Sequence, residues 1–298
     1  MIITNKLNLP FGLVKAVSVE KHNAENCISA TTLLQGIKQI LLTERHWDEL
    51  EDDVSDRIWA IWGQAVHSLL EHEGENDFTE LEMSYKVGNV TVTGRIDNYD
   101  MKHGVICDYK TASIWKVKYR DFTEWEAQGM IYAWLLNKNG FNVKKCRFIA
   151  LLKDHSKTEM MRDRQYPPKP VHVYEFHVTL AGLMKIDSFI KKRLGEYEKY
   201  AGVHDDIIPS CTPEERWDKS TTYAVMKHGR KTAIKLFDNA EEANAKAEEL
   251  GKECFVETRK GESTKCRHYC LCRQFCNYYR SMTHEKEKCN EIEEKIAA

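Results

Sequence analysis

The chain has 298 residues, 44 Lys and Arg against 46 Asp and Glu for a formal charge of −2, and 42% hydrophobic residues. That composition can bury a full core and a small second module, and it fits neither a disordered chain nor a minimal disulfide scaffold. No run of eighteen apolar residues occurs and the first twenty residues hold no apolar signal core, so neither a membrane span nor classical secretion is expected.

Helical spacing of Leu33, Leu34, Ile37, Ile40 and Leu41 predicts a helix over 30–46, with Thr31 or Thr32 as its cap. A second helix over 54–72 turns Ile58, Ile61, Trp62, Ala65, Val66, Leu69 and Leu70 toward the core. The period then changes to two. Residues 78–97 alternate as two strands, with Leu81, Met83, Tyr85 and Val87 on one face and a turn at Gly88-Asn89. A strand over 104–110, a helix over 122–136 and a strand over 146–152 follow. The polar stretch 153–170 ends in Tyr-Pro-Pro-Lys-Pro and reads as a loop. A strand over 171–177 and an amphipathic helix over 180–200 close a first domain, residues 1–203. The second region, 204–298, opens with a linker over 203–218. It continues with TTYAVMK and KTAIKLF as strands around His228-Gly229, a helix over 239–250 and the strand ECFVETR. These elements form a ββαβ insert over 219–260. The predicted class is a mixed α/β fold built around a mixed sheet.

The sharpest chemical signal is Gly94-Arg95-Ile96-Asp97, ten intervening residues, then Asp108-Tyr109-Lys110. On adjacent antiparallel strands Asp97 sits opposite the 108–110 segment, and alternation puts Asp108 and Lys110 on one face with Tyr109 turned away. Carboxylates this close repel, which suits a site for a divalent cation, and the lysine can polarise a water or steady a phosphoryl charge. The same spacing also suits a solvated strand face with salt bridges. Upstream, His67 lies off the apolar stripe of its helix, as a surface histidine or as an imidazole ligand. Downstream, Gln128 and Tyr132 stand one turn apart on one helix face.

Together GQAVH ending at His67, GRID ending at Asp97, DYKTA beginning at Asp108 and QGMIY spanning Gln128 to Tyr132 resemble the PD-(D/E)XK nuclease superfamily, in particular its RecB-like and AddB-like branch. The resemblance implies a restriction-endonuclease-like core that hydrolyses DNA phosphodiesters with Mg²⁺ or Mn²⁺. It implies that His67, Asp97, Asp108 and the Tyr109 carbonyl bind metal, that Lys110 assists the attacking water, and that Gln128 and Tyr132 support DNA contact. Some relatives add a glutamate from the preceding strand. Glu80 and Glu82 both qualify, with a slight preference for Glu80.

Ten cysteines are unevenly spread, and Cys266, Cys270, Cys272 and Cys276 fall within eleven residues. Without a secretory signal such packing reads as a ligand set. RecB-like nucleases with iron–sulfur clusters combine one distant cysteine with three near the C-terminus, and the resemblance assigns those places to Cys211, Cys266, Cys270 and Cys276. Four thiolates suit a [4Fe–4S] cluster or structural Zn²⁺, and the analogy favours the cluster. Cys107 and Cys146 fall in apolar strands as core residues.

Residues 141–170 carry eight basic side chains (Lys144, Lys145, Arg147, Lys153, Lys157, Arg162, Arg164 and Lys169) against Asp154, Glu159 and Asp163, which makes the stretch a candidate DNA groove. Most tryptophans have core spacing, with Trp115 in an exposed loop near the site. The resemblance further implies an exonuclease of phage or bacterial recombination or repair, working in the cytoplasm on DNA with a recombinase, annealing protein or helicase as partner. No GxxxxGK[ST] phosphate loop occurs, so ATP dependence would come from the partner. Rival readings are a catalytically silent DNA-binding scaffold and an RNA or nucleotide phosphodiesterase. Oligomeric state is not legible.

Overall fold

The computed structural model describes residues 1–18, 26–70 and 78–283. The expected end of the second helix at His72, and Cys289, lie outside them. The chain divides into two compact units, at Met1–Val203 and from His204 onward.

The first unit runs β1 (Ile2–Thr4), α1 (Phe11–Val17), β2 (Cys27–Ser29), α2 (Ile37–Arg45), β3 (Glu51–Asp53), α3 (Val54–Leu70), β4 (Phe78–Val87), β5 (Val90–Asp100), β6 (Val105–Ala112), α4 (Ile114–Lys118), α5 (Thr123–Lys138), β7 (Lys145–Leu152), α6 (Lys157–Arg162), β8 (Val171–His177) and α7 (Leu180–Tyr200). Its main sheet has six strands. β4 takes one edge of β5, while β2 and β6 share the other, and β7 and β8 continue the sheet from β6. β6 and β7 are parallel, as a strand–helix–strand crossover through α5 requires. The β4–β5 hairpin turns at Gly88-Asn89, where Gly88 takes φ +61° at no Cβ cost.

α5 is apolar around most of its circumference, so it sits buried between the sheet and α7. Ile131, Ala133, Trp134, Leu135 and Leu136 of α5 are buried, as are Ile96, Phe148 and Ile190 of the elements it packs on, and Ile106 of β6. Two glycines let backbone lie close against neighbouring side chains. A Cβ at Gly129 would stand 3.0 Å from Phe176 and 3.1 Å from Phe148, and one at Gly94 would stand 2.7 Å from Leu135.

The second unit holds α8 (Pro213–Arg216), β9 (Asp218–Lys219), β10 (Thr222–Lys227), β11 (Lys235–Phe237), α9 (Ala240–Leu250), β12 (Cys254–Arg259), β13 (Glu262–Ser263) and α10 (Thr264–His268). β10, β11 and β12 form one antiparallel sheet, and Val225 packs against Ala243 and Ala247 of α9. β9 pairs with β13, so the chain leaves and re-enters at neighbouring positions. That ladder sets Trp217 beside Tyr269, ring centroids 5.4 Å apart.

Several expectations need correction. The predicted 30–46 helix is broken: Thr32–Leu34 is a single 3₁₀ turn, and α2 starts only after Gly36, with no side-chain cap. The threonine hydroxyls bond Ser29 instead, Thr32 at 2.8 Å and Thr31 at 3.1 Å, and local bonds of this kind compete with helix capping. In α3 only Val54 is buried; Trp59, Trp62 and Leu69 are exposed, because the helix packs on α1 and β6 along one side. Trp217 is also exposed, and Trp115 lies in α4 rather than a loop. The 153–170 stretch contains α6, capped by Ser156, and the 203–218 linker contains α8, with a full Thr212–Glu215 capping box. The expected strand KTAIKLF shrinks to Lys235–Phe237. β1, β3 and α1 lie in segments assigned no element from the pattern.

Valine at position 129 is expected to wedge α5 off Phe148 and Phe176, costing about 1–3 kcal/mol. Thermal unfolding of Gly129→Val should therefore fall below wild type, with Gly129→Ala between them. An unchanged Tm for the valine variant would contradict this packing.

Candidate active site

Strand register builds the site. β4 and β5 pair Thr79 with Asn98 and Leu81 with Ile96, which sets Glu80 across from Asp97. β5 and β6 pair Asn98 with Cys107, where their register ends, and just beyond it the backbone N–H of Tyr109 bonds the Asp97 carboxylate, which brings Asp97 to the segment that carries Asp108. Directly opposed residues share a sheet face, and the two-residue period adds Lys110. α3 supplies His67. Glu80 holds φ +47°, a left-handed conformation unusual for a non-glycine residue and worth roughly 1–3 kcal/mol of strain. This local break in the extended backbone separates it from Glu82, which is exposed in register with Arg95 and stands outside the cluster.

His67 Nδ1 lies 3.3 Å from Asp97 Oδ1 and 3.8 Å from Glu80 Oε1. The backbone N–H of Tyr109 donates to Asp97 Oδ2 at 2.7 Å, which orients that carboxylate. Lys110 Nζ stands 2.7 Å from Asp108 Oδ2 and 5.9 Å from the centre of the Phe148 ring. Arg95 forms an ion pair with Glu80. Gln128 Nε2 donates to the Tyr132 hydroxyl at 2.9 Å. Gly94 serves this arrangement too, since its missing Cβ leaves room for the Tyr132 ring, 3.1 Å from where that atom would stand.

The electrostatics are those of excess negative charge in a dry site. Burial pushes the Asp108 carboxyl above its ordinary range and Asp97 adds to the shift, while Lys110 opposes it. His67 is raised, first by its hydrogen bond to Asp97 and further by the charges of Asp97, Asp108 and Glu80, against a burial effect of opposite sign. Tyr132 is held far above the ordinary phenol value by burial, with Asp108, Asp97 and Glu80 as its charged neighbours, so it stays a neutral hydroxyl.

These residues fit a divalent cation. His67, Glu80 and Asp97 each offer a ligand atom, all within 4.8 Å of one another, a combination found once among the described residues. Asp108 Oδ2 is buried and has no well-aligned hydrogen-bond donor, although Lys110 attracts it across their ion pair. Two oxygens and an imidazole nitrogen suit Mg²⁺ or Mn²⁺. Asp108 stands beside this trio rather than inside it, tied to Lys110. The sequence pattern gives Arg95 and Gly94 no role, although both stand inside GRID, beside Asp97.

In the second unit the Cys266 thiol is pushed up to about 12 by burial and by its neighbours Cys270, Cys211 and Cys276. Cys272 is buried, its sulfur 3.6 Å from that of Cys270. The basic run at 141–170 is partly neutralised: Lys145 and Arg147 both pair with Glu175, and Arg162 with Glu159.

No helix among the described residues is long and apolar enough to cross a membrane. A search of curated proteins finds no match. Among solved structures, the chain is similar to SSO0001, at 20% identity over 63% of this chain and 90% of that one, with a TM-score of 0.42. It is similar to a phage related exonuclease from Haemophilus somnus 129PT, at 11% identity over 58% and 93%, with a TM-score of 0.37. It is also similar to LHK-Exo, an alkaline exonuclease from Laribacter hongkongensis, at 9% identity over 59% and 90%, with a TM-score of 0.38. These likenesses are too distant to carry an argument about activity. The sequence itself decides the family, because residues 20–277 match its model from end to end of the site just described: the chain belongs to the PD-(D/E)XK nuclease superfamily.

Proposed function

We propose that the chain is a Mg²⁺- or Mn²⁺-dependent deoxyribonuclease of the RecB-like branch, acting as an exonuclease on DNA ends. The observation that carries this reading is the ion pair of buried Asp108 with Lys110, set beside the His67, Glu80 and Asp97 trio. His67, Glu80, Asp97 and Asp108, with the Tyr109 carbonyl, would hold the cation. When bound, the cation supplies Lewis-acid activation of water and neutralises charge on the scissile phosphoryl group. Lys110 holds the attacking water and steadies phosphoryl charge. Asp108 keeps the ammonium in place at 2.7 Å. Tyr132, protonated and bonded to Gln128, offers a neutral hydroxyl toward the same space without adding negative charge where phosphate must enter. Arg95 balances Glu80 at the rim. Glu82 takes no part.

The second unit, as we read it, carries a [4Fe–4S] cluster on Cys211, Cys266, Cys270 and Cys276, with structural Zn²⁺ as the alternative. Support comes from the electrostatic proximity of these four thiols and from the β9–β13 ladder that closes the chain near them. Exonuclease action, a setting in phage or bacterial recombination or repair, work in the cytoplasm, and a recombinase, annealing protein or helicase partner extend the same family reading.

Lys110→Met is expected to lower Mg²⁺-dependent cleavage by roughly 10²–10³-fold, the usual loss when one aligned electrostatic donor is removed, while DNA retention is largely kept. End-labelled linear duplex, single-stranded DNA and a closed circle, digested side by side, check both chemistry and mode. Loss of linear substrates with survival of circles supports an exonuclease. Wild-type rates in the Lys110 variant would sink the mechanism.

Protein purified without oxygen should carry iron, sulfide and a broad visible absorbance. Cys266→Ser should lose all three and melt at lower temperature. Stoichiometric zinc in a colourless protein would contradict the cluster.

A further inference from the structure

A second built site shares the sheet face of the carboxylates. β6 pairs Asp108 with Phe148 and Lys110 with Ala150 on β7, and β7 pairs Phe148 with Tyr174 and Ala150 with His172 on β8. His172 and Tyr174 therefore stand two strand spacings, about 10 Å, from Lys110 and Asp108. Aromatic rings fill the interval. Phe148 stacks on Trp125 at 5.7 Å, Trp125 meets Phe122 at 5.3 Å, and Phe122 stacks on Tyr174 at 4.2 Å and on His172 at 5.6 Å. Beyond these rings opens a cleft of about 820 Å³ whose walls include Arg120, Phe122, Arg164, Lys169, His172 and Tyr174.

Charge in the cleft is mostly positive. Lys118 is held by Asp163 at 2.7 Å, and Glu126, the one carboxylate among the lining residues, accepts a hydrogen bond from the Tyr174 hydroxyl. Arg120, Arg164 and Lys169 are exposed and have no carboxylate partner among the described residues. Arg120 holds φ +53°, a strained conformation of the kind that collects at ligand sites. Burial and the Arg120 charge both lower His172, whose half-buried ring lines the cleft.

Unpaired cations around half-buried ring faces are the combination that tracks a nucleic-acid backbone while stacking its bases. A duplex keeps its base faces covered, so only an unpaired strand can use the rings. The volume falls within the range of small-ligand sites, enough for a nucleotide or two. We propose that this cleft binds single-stranded DNA, with bases against His172 and Tyr174 and phosphates on Arg120, Arg164 and Lys169. The strand thus occupies a station beside the catalytic carboxylates, separated from them by Trp125 and Phe122. The identity of the polymer rests on the nuclease reading; the cleft itself does not.

The test uses the full chain in EDTA, where cleavage is absent, with a short fluorescein-labelled oligothymidylate and a blunt duplex of equal length. Anisotropy is read across a salt series for wild type, Arg164→Ala/Lys169→Ala and Tyr174→Leu. The double variant, altered only at exposed loop positions, should bind the single strand at least about tenfold more weakly. Its log–log salt slope should flatten by roughly 1.4, about 0.7 per lost phosphate contact. Tyr174→Leu should weaken binding with the slope unchanged. Wild-type affinity and slope in the double variant overturn the proposal, and an equal loss with the blunt duplex overturns the single-strand assignment. The same preparations are then given Mg²⁺ and linear DNA. If cleft variants bind weakly and wild type cuts nothing, the nuclease reading fails and the cleft stands. If wild type cuts while the double variant keeps wild-type affinity and KM, the cleft fails alone.

Discussion

Like charge packed where water is scarce is the constraint on which the rest of this structure depends. Strand pairing on either side of Glu80 and Asp97, and next to Asp108, keeps the three carboxylates together, because sliding any of the three strands by one residue would turn its whole apolar set to the wrong face. At an effective dielectric of about 20, two such charges near 4 Å repel by ~4 kcal/mol. Surface ion pairs such as Lys145–Glu175, worth about 0–1 kcal/mol, do not offset that. What offsets it is local: Lys110 against Asp108, Arg95 against Glu80, and a protonation-prone imidazole against Asp97. The same surplus charge suits the cluster to a divalent cation, which would complete the neutralisation.

The packing of the first unit serves that cluster. α5 covers the carboxylate face and excludes water from Asp108, and its approach depends on Gly94 and Gly129, where a side chain would collide with Leu135 or with Phe148. Tyr132 and Gln128 reach the site only because this helix lies so near the sheet. From the same helix and its N-cap, Trp125 and Phe122 extend a row of rings away from Lys110 toward β8, giving the sheet face a carboxylate end and an aromatic, cationic end.

What could be read from the residues follows the physics of each element. Alternation is robust in β4, β5 and β6, so the placement of Asp97 beside the 108–110 segment and the shared face of Asp108 and Lys110 are legible from spacing. The choice between Glu80 and Glu82 was not, because a left-handed residue at Glu80 breaks the period that any pattern argument assumes. The 30–46 helix misled for a related reason: its apolar spacing is helical throughout, but Ser29 captures the threonine hydroxyls and splits it. The apolar spacing of α3 points to a core, but its packing along one side leaves Trp59, Trp62 and Leu69 exposed. The cleft was invisible, since Arg120, Arg164, His172 and Tyr174 converge from segments up to fifty-four residues apart. The basic run at 141–170 pointed to its neighbourhood and included residues that Glu175 neutralises.

The central claim is that Glu80, Asp97 and His67 form a cation site in which Glu82 has no share. Mn²⁺ titration followed by electron paramagnetic resonance tests it without requiring catalysis. Wild type and Glu82→Gln should bind Mn²⁺ equally, while Glu80→Gln and Asp97→Asn, checked as folded by circular dichroism, should bind at least about tenfold more weakly, since each loses one charged ligand. Binding lost in Glu82→Gln, or wild-type binding in both Glu80→Gln and Asp97→Asn, would contradict the account.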